Sequence, residues 1–221
     1  MYHDNQTNQM KLSIITNPYD IKFEADTINR LFREGLSELH IRKPKYDKEM
    51  MTRFIKQIDQ QYHDRIVLHS YYSLVNKFNI KKIHLSHDWI SNFATNWYLN
   101  KVILQGKHIS KSKTIANCAR LFKPIEGVDE VILGPVFSRA SYTVNTQLVQ
   151  TADLEKGLRH SKLPVTALGG VTAQTLGFLK NVGFKGIAIQ SGVWKSPDPV
   201  KAFAEMRDFY FASEQRLRIA V

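Results

Sequence analysis

The chain has 221 residues, 43% apolar and 23% charged, a composition that excludes an intrinsically disordered or fibrous protein. Lysine and arginine outnumber aspartate and glutamate by 31 to 20, and the resulting net charge of +11 points to an anionic partner. Cys118 is the single cysteine, which excludes an internal disulfide and a cysteine-rich metal centre, and the length suits one large domain.

Residues 1–10, MYHDNQTNQM, read as a flexible N-terminal extension without an apolar run of secretory length. No stretch of about 18 uncharged apolar residues follows, so a cytoplasmic protein with no membrane partner is expected. From there on, short runs rich in β-branched and aliphatic residues recur: LSIIT (12–16), ELHIR (38–42), RIVLH (65–69), KKIHL (81–85), KVILQ (101–105), EVILG (130–134), PVTAL (164–168) and GIAIQ (186–190). Helical spacing separates several of them, as at Ile28, Leu31, Phe32 and Leu36, and again at Leu176, Leu179 and Val182. Eight strand signals alternating with helical segments predict an α/β protein, a single-domain (β/α)8 TIM barrel over residues 11–221. An open doubly wound sheet is the alternative. The loop GPVFSRASYTVNTQ after the sixth strand suits a mobile lid, and Pro199–Val221 a closing helix. Cys118 falls in an apolar helical pattern and reads as a buried structural thiol.

No Asp or Glu occurs between Asp88 and Glu126, whereas Lys101, Lys107, Lys111, Lys113, Arg120 and Lys123 do, so one face is expected to be basic. No zinc finger, RNA-recognition motif or basic heptad region accompanies these charges, which argues against nucleic acid and for a small phosphorylated molecule.

In a barrel the chemistry gathers where the parallel strands end. The seventh and eighth strands run into Gly169–Gly170 and into Gln190, Ser191 and Gly192, loops whose backbone can approach a phosphate closely. The competing reading is that the glycines merely turn the chain at a crowded rim. The second strand ends in HIRKPK, where alternation sends His40 and Arg42 to one side and Lys43 and Lys45 toward the rim. His40, His69, His84, His87 and His108 are expected at the ends of strands two to five, where imidazoles can move protons. His84 and His87 stand three apart at a strand end rather than on a helix, so their spacing predicts no zinc site.

The motifs HIRKPK, IHLSHD, ILGPVF, PVTALGGV and IAIQSGVW, in this order, make the chain resemble the thiamin phosphate synthase and thiazole tautomerase (TenI) family of barrels. The resemblance covers about residues 11 to 205 and implies a transferase of thiamin biosynthesis. Such a synthase joins hydroxymethylpyrimidine diphosphate to thiazole phosphate, with Mg2+ and basic residues steadying the departing diphosphate. Carried over by position, the resemblance implies Arg42 as the diphosphate arginine, with Lys43 or Lys45 standing in for a lysine that Pro44 replaces. Lys43 and a protonated His69 would add catalytic positive charge. It further implies Gly169, Gly170, Gln190 and Ser191 as the phosphate-binding set, and His40, His108, Arg139, Ser141 and Tyr142 as pocket residues. Ser70 stands where the family carries a magnesium carboxylate, and Asp88 at most remains after the fourth strand, so the metal ligands are largely missing. The tautomerase histidine falls on Pro135, leaving His40, His69 or His108 as proton carriers. Three readings stay open at this point: a synthase with an eroded magnesium-diphosphate half-site, a tautomerase-like proton-transfer enzyme, and a non-catalytic binder of a phosphorylated heterocycle. A homo-oligomer is compatible with all three.

Overall fold

The computed structural model describes residues 10–86, 93–137 and 151–219. Eight parallel strands close into a barrel: β1 (Lys11–Ile15), β2 (Glu38–Ile41), β3 (Ile66–Leu68), β4 (Lys82–Leu85), β5 (Ser110–Ile115), β6 (Glu130–Leu133), β7 (Val165–Leu168) and β8 (Gly186–Ile189). Closure comes from β8 returning to β1, with Lys11 opposite Gly186 and Ile14 opposite Ile189. The expected (β/α)8 architecture is therefore present, and the open sheet is excluded.

The outer layer is irregular. Between the strands run α1 (Glu24–Arg33), α2 (Lys48–Lys56), α3 (Phe93–Tyr98), α4 (Thr151–His160), α5 (Ala173–Val182), α6 (Ser191–Trp194) and α7 (Pro199–Ile219). After β3 and β5 the chain makes only short 3-10 turns, Tyr72–Asn76 and Cys118–Phe122. Cys118 is buried in the second of these turns, not in an α-helix. The helices start where local chemistry permits: Asp47 accepts a hydrogen bond from the Met50 amide at 2.7 Å, and Thr172 and Thr175 cap α5 reciprocally. α1 carries Glu24 and Asp26 in its first turn and Arg30 and Arg33 in its last, complementing the helix dipole.

Period-two alternation divides each strand between two environments. Ile14, Leu39, Ile41, Leu68 and Ile83 join an apolar layer with Ile28, Leu31, Met51 and Ile55 of the helices, all of them fully buried. The intervening side chains fill the barrel with polar groups instead. At its foot Lys11 bonds Glu38 at 3.0 Å and Glu130 at 2.5 Å, Lys82 also reaches Glu38, and Thr166 donates to Glu130 at 2.6 Å.

One strand differs from expectation. KVILQ (101–105) is no strand: it continues α3 through a π turn, Leu99–Ile103, that buries Leu99 and Leu104 and leaves Val102 47% exposed. Gln105 and Gly106, both at positive φ, then reverse the chain into the true fifth strand, SKSKTI. An unbroken apolar run fits a buried strand and a helical turn equally well, so periodicity could not separate them. His108 consequently precedes β5 and is exposed at the opposite end of the barrel from the other strand-end histidines, which removes it from the pocket. The expected extension at residues 1–9 and most of the lid, residues 138–147, lie outside the described residues.

Two substitutions check this layout by urea unfolding. Leu31→Ala, in the apolar layer, is expected to cost about 2–5 kcal/mol. His108→Ala is expected to change stability by less than about 0.5 kcal/mol and to leave function intact, because its ring meets solvent away from the cavity.

Candidate active site

A cavity of about 530 Å³ opens at the carboxyl ends of the strands. Its walls carry Arg42, His69, Ser70, His84, Lys113 and Thr114, with Ile15, Ile132 and Leu168 forming an apolar floor. Arg42 is inward-facing as expected, yet exposed to the cavity, so its charge needs no buried counter-ion. The Arg42 backbone is fixed by Thr16, whose hydroxyl accepts from the Arg42 amide at 2.9 Å.

Lys43 borders the cavity, but its side chain is fully buried and its ammonium group is taken by Glu24 and by the Tyr19 carbonyl at 2.9 Å. Its charge is thereby neutralised rather than presented to the cavity. Burial raises the Glu24 carboxyl pKa, an effect the Lys43 contact only partly offsets.

Three histidines meet beneath Arg42. His40, only 1% exposed, lies below the wall and accepts or donates between Glu38 Oε1, 3.2 Å from its Nε2, and His69 Nε2, 3.1 Å from its Nδ1. His69 stacks on His84 with ring centroids 4.3 Å apart and planes at 23°. His84 is flanked by hydroxyls, Ser112 Oγ at 2.9 Å from Nδ1 and Thr114 Oγ1 at 3.1 Å from Nε2. Burial, then the neighbouring His84, His40 and Arg42, hold His69 well below the ordinary imidazole value. Burial, with His40 and Arg42, pushes His84 down to about 3. Burial alone would raise Glu38, but the hydrogen bond and charge of His40, with Lys11 and Lys82, bring it far below the carboxylate range. Burial and these neighbours favour the neutral His69 ring over the protonated one that a source of positive charge would need.

The glycine loops stand where the sequence places them, at the ends of β7 and β8, with Val171 O only 3.1 Å from where a Gly192 Cβ would sit. Packing already requires both glycines of the first loop. A Cβ on Gly169 would fall 2.8 Å from Pro135 Cβ, and one on Gly170 would fall 2.4 Å from Phe137 Cβ; both residues also have positive φ. The Gln190 amide donates to the Thr16 carbonyl at 3.2 Å, and Ser191 is exposed at the rim. Arg139, Ser141, Tyr142, His87 and Asp88 lie outside the described residues.

Magnesium does not fit what is described. The lining residues named above offer imidazoles, hydroxyls and cations but no carboxylate, whereas magnesium takes oxygen ligands in octahedral geometry. Sequence reasoning missed Ser112 and Thr114 as partners of His84 because it placed the fifth strand too early. The Lys113 pKa is lowered, by burial first and by Arg120 second.

A closed (β/α)8 barrel with a cavity at the carboxyl ends of its strands belongs to the class of TIM barrels, whose ligand sites gather at that face. Residues 12–193 match the thiamine monophosphate synthase family profile, and the chain belongs to that family. It is 34% identical over 86 residues to a thiamine-phosphate synthase of Levilactobacillus brevis, a match spanning 39% of this chain and 40% of that protein. A thiamine-phosphate synthase of Leuconostoc citreum is 21% identical over 198 residues, covering 86% of this chain and 91% of the relative. Among solved structures, thiamine phosphate pyrophosphorylase from Bacteroides thetaiotaomicron superposes with a TM-score of 0.72 at 24% identity, over 90% of this chain and 97% of that one. The corresponding Pyrococcus furiosus protein gives 0.72 at 19% identity, over 93% and 97%. At these identities the structural likeness establishes the fold.

The geometry yields two expected outcomes. Gly170→Ala should lower stability by about 2 kcal/mol or more through the Phe137 clash and the positive φ, so weakened ligand binding in that variant would not by itself report a phosphate contact. Differential scanning calorimetry checks this. As pH falls from about 6.5 toward 3, the unfolded chain binds a proton that native His84 refuses, so stability should fall by up to about 1.4 kcal/mol per pH unit from this ring, with a loss of the same sign from His69. Melting curves in EDTA test the slope, which should become shallower in His84→Gln.

Proposed function

We propose that the chain is a thiamin phosphate synthase-like enzyme of thiamin biosynthesis, acting in the cytoplasm on thiazole phosphate, with a diphosphate half-site that works through fixed cations. One observation carries the reading: Arg42, exposed at the end of β2, lines a cavity in which no carboxylate accompanies it among the described lining residues. A leaving diphosphate needs positive charge placed in advance, and the Arg42 guanidinium in the cavity supplies it without a metal held by carboxylates. The family membership and the names of the sequence relatives support the substrate class. Gln190, Ser191 and the adjoining glycines remain the candidates for the thiazole phosphate, with the β8 loop held against β1 by Gln190.

The Glu38–His40–His69 chain favours a second reading, proton transfer on the heterocycle by neutral His69 without a diphosphate partner. In that case the protein would interconvert thiazole phosphate tautomers while failing to couple them to the pyrimidine.

A turnover assay with hydroxymethylpyrimidine diphosphate and thiazole phosphate separates the readings. Coupling is expected at a rate unaffected by added magnesium, with kcat/KM reduced about tenfold or more in Arg42→Ala. Coupling that depends on magnesium and survives Arg42→Ala would overturn the proposal.

A further inference from the structure

We propose that His40, His69 and His84 form a binding site for a divalent transition-metal ion of the zinc class, set beneath the cavity with its open coordination position facing the substrate. One nitrogen from each ring can be chosen so that all three lie within 4.8 Å of one another. His40 Nδ1 and His69 Nε2 are 3.1 Å apart, close to the separation of about 3.3 Å that two nitrogens take at zinc–nitrogen distances of roughly 2.0–2.1 Å in a tetrahedral site. Two imidazole nitrogens at that distance need either a proton or an ion between them.

The surroundings have the form of a metal site's supporting shell. The other nitrogen of His40 lies 3.2 Å from the buried carboxylate of Glu38, the carboxylate–histidine arrangement that fixes a ligand ring and strengthens it as a donor. Each nitrogen of His84 has a hydroxyl partner, Ser112 or Thr114, and the ring lies stacked on His69, so ligation turns His84 out of that stack, with one hydroxyl giving way to the ion while the other keeps its bond. His69 and His84 line the cavity whereas His40 lies under it, which leaves the cavity side for a water molecule or a substrate oxygen. Three imidazoles suit zinc, cobalt, nickel or copper and not magnesium, so the site departs from the oxygen-ligated magnesium expected from sequence.

The site does not depend on which reaction the cavity performs, and its test uses the metal alone. Full-length protein stripped with chelator and dialysed is titrated with Zn2+ by calorimetry and with Co2+ in a visible spectrophotometer. One ion per chain is expected, with the intense visible bands of four-coordinate cobalt and a zinc-dependent rise in melting temperature that Mg2+ does not produce. His69→Gln should weaken zinc binding at least about 100-fold, and Glu38→Gln about tenfold, because it loosens His40 without removing a ligand. His108→Gln and His160→Gln, both at exposed positions, serve as controls and should bind as the unaltered protein does. The unaltered protein's cobalt spectrum stands even where a variant fails to fold. Absence of stoichiometric zinc binding, octahedral cobalt only, or loss of binding in the control variants would overturn the proposal.

Discussion

The interior of this barrel depends on one buried carboxylate. Glu38 is 1% exposed at the foot of the barrel, and an isolated carboxylate there would cost several kcal/mol in lost hydration. It is compensated from three directions, by Lys11, Lys82 and His40. Lys11 in turn reaches Glu130, which takes the Thr166 hydroxyl, so the network crosses from β1 and β2 to β4, β6 and β7. A hydrophobic plug would also fill the space. A charged plug additionally specifies the positions of its members, and through His40 it transmits that order upward to His69 and the cavity.

Above the plug the balance of charge reverses. The described wall of the mouth carries Arg42, burial favours the neutral form of the imidazoles below it, and Lys43 is withdrawn into a buried pair with Glu24. Positive charge is thus concentrated where an anion would enter and cancelled where it would not. A site in which a metal is held by carboxylates places negative charge at this level and relies on the ion to invert it. Here the protein presents cations directly, and the imidazole cluster below them suits an ion of a different kind.

Much of this was legible in the sequence, for reasons that differ by residue. Seven of the eight strand runs fall where they were read, because apolar β-branched residues face the helices in each. Arg42 and His69 were readable as strand-end residues, since period two fixes their side once the strand is known. The fate of Lys43 was not, because the partner that neutralises it, Glu24, lies on a different element and no local pattern announces a buried pair. Gly169 and Gly170 were read as a phosphate loop, but sequence alone could not show that Pro135 and Phe137 crowd them, a packing demand that exists with or without a phosphate.

The fifth strand was misplaced for the same reason that the histidine cluster exists. Reading strands by apolar content assumes that a barrel interior is lined by aliphatic side chains. In β5 the alternating residues Ser112 and Thr114 carry hydroxyls because each bonds a nitrogen of His84 on the neighbouring strand. Had those positions been valine or leucine, SKSKTI would have displayed a conventional strand signature, and His84 would have been left with unsatisfied ring nitrogens in a buried setting. A lysine-rich, serine-rich segment beside a strand-end histidine is therefore informative once the barrel count is taken seriously. Seven convincing strands and one polar gap of the right length imply that the missing strand supplies polar partners to the interior, and the residue it partners is the first place to look for chemistry.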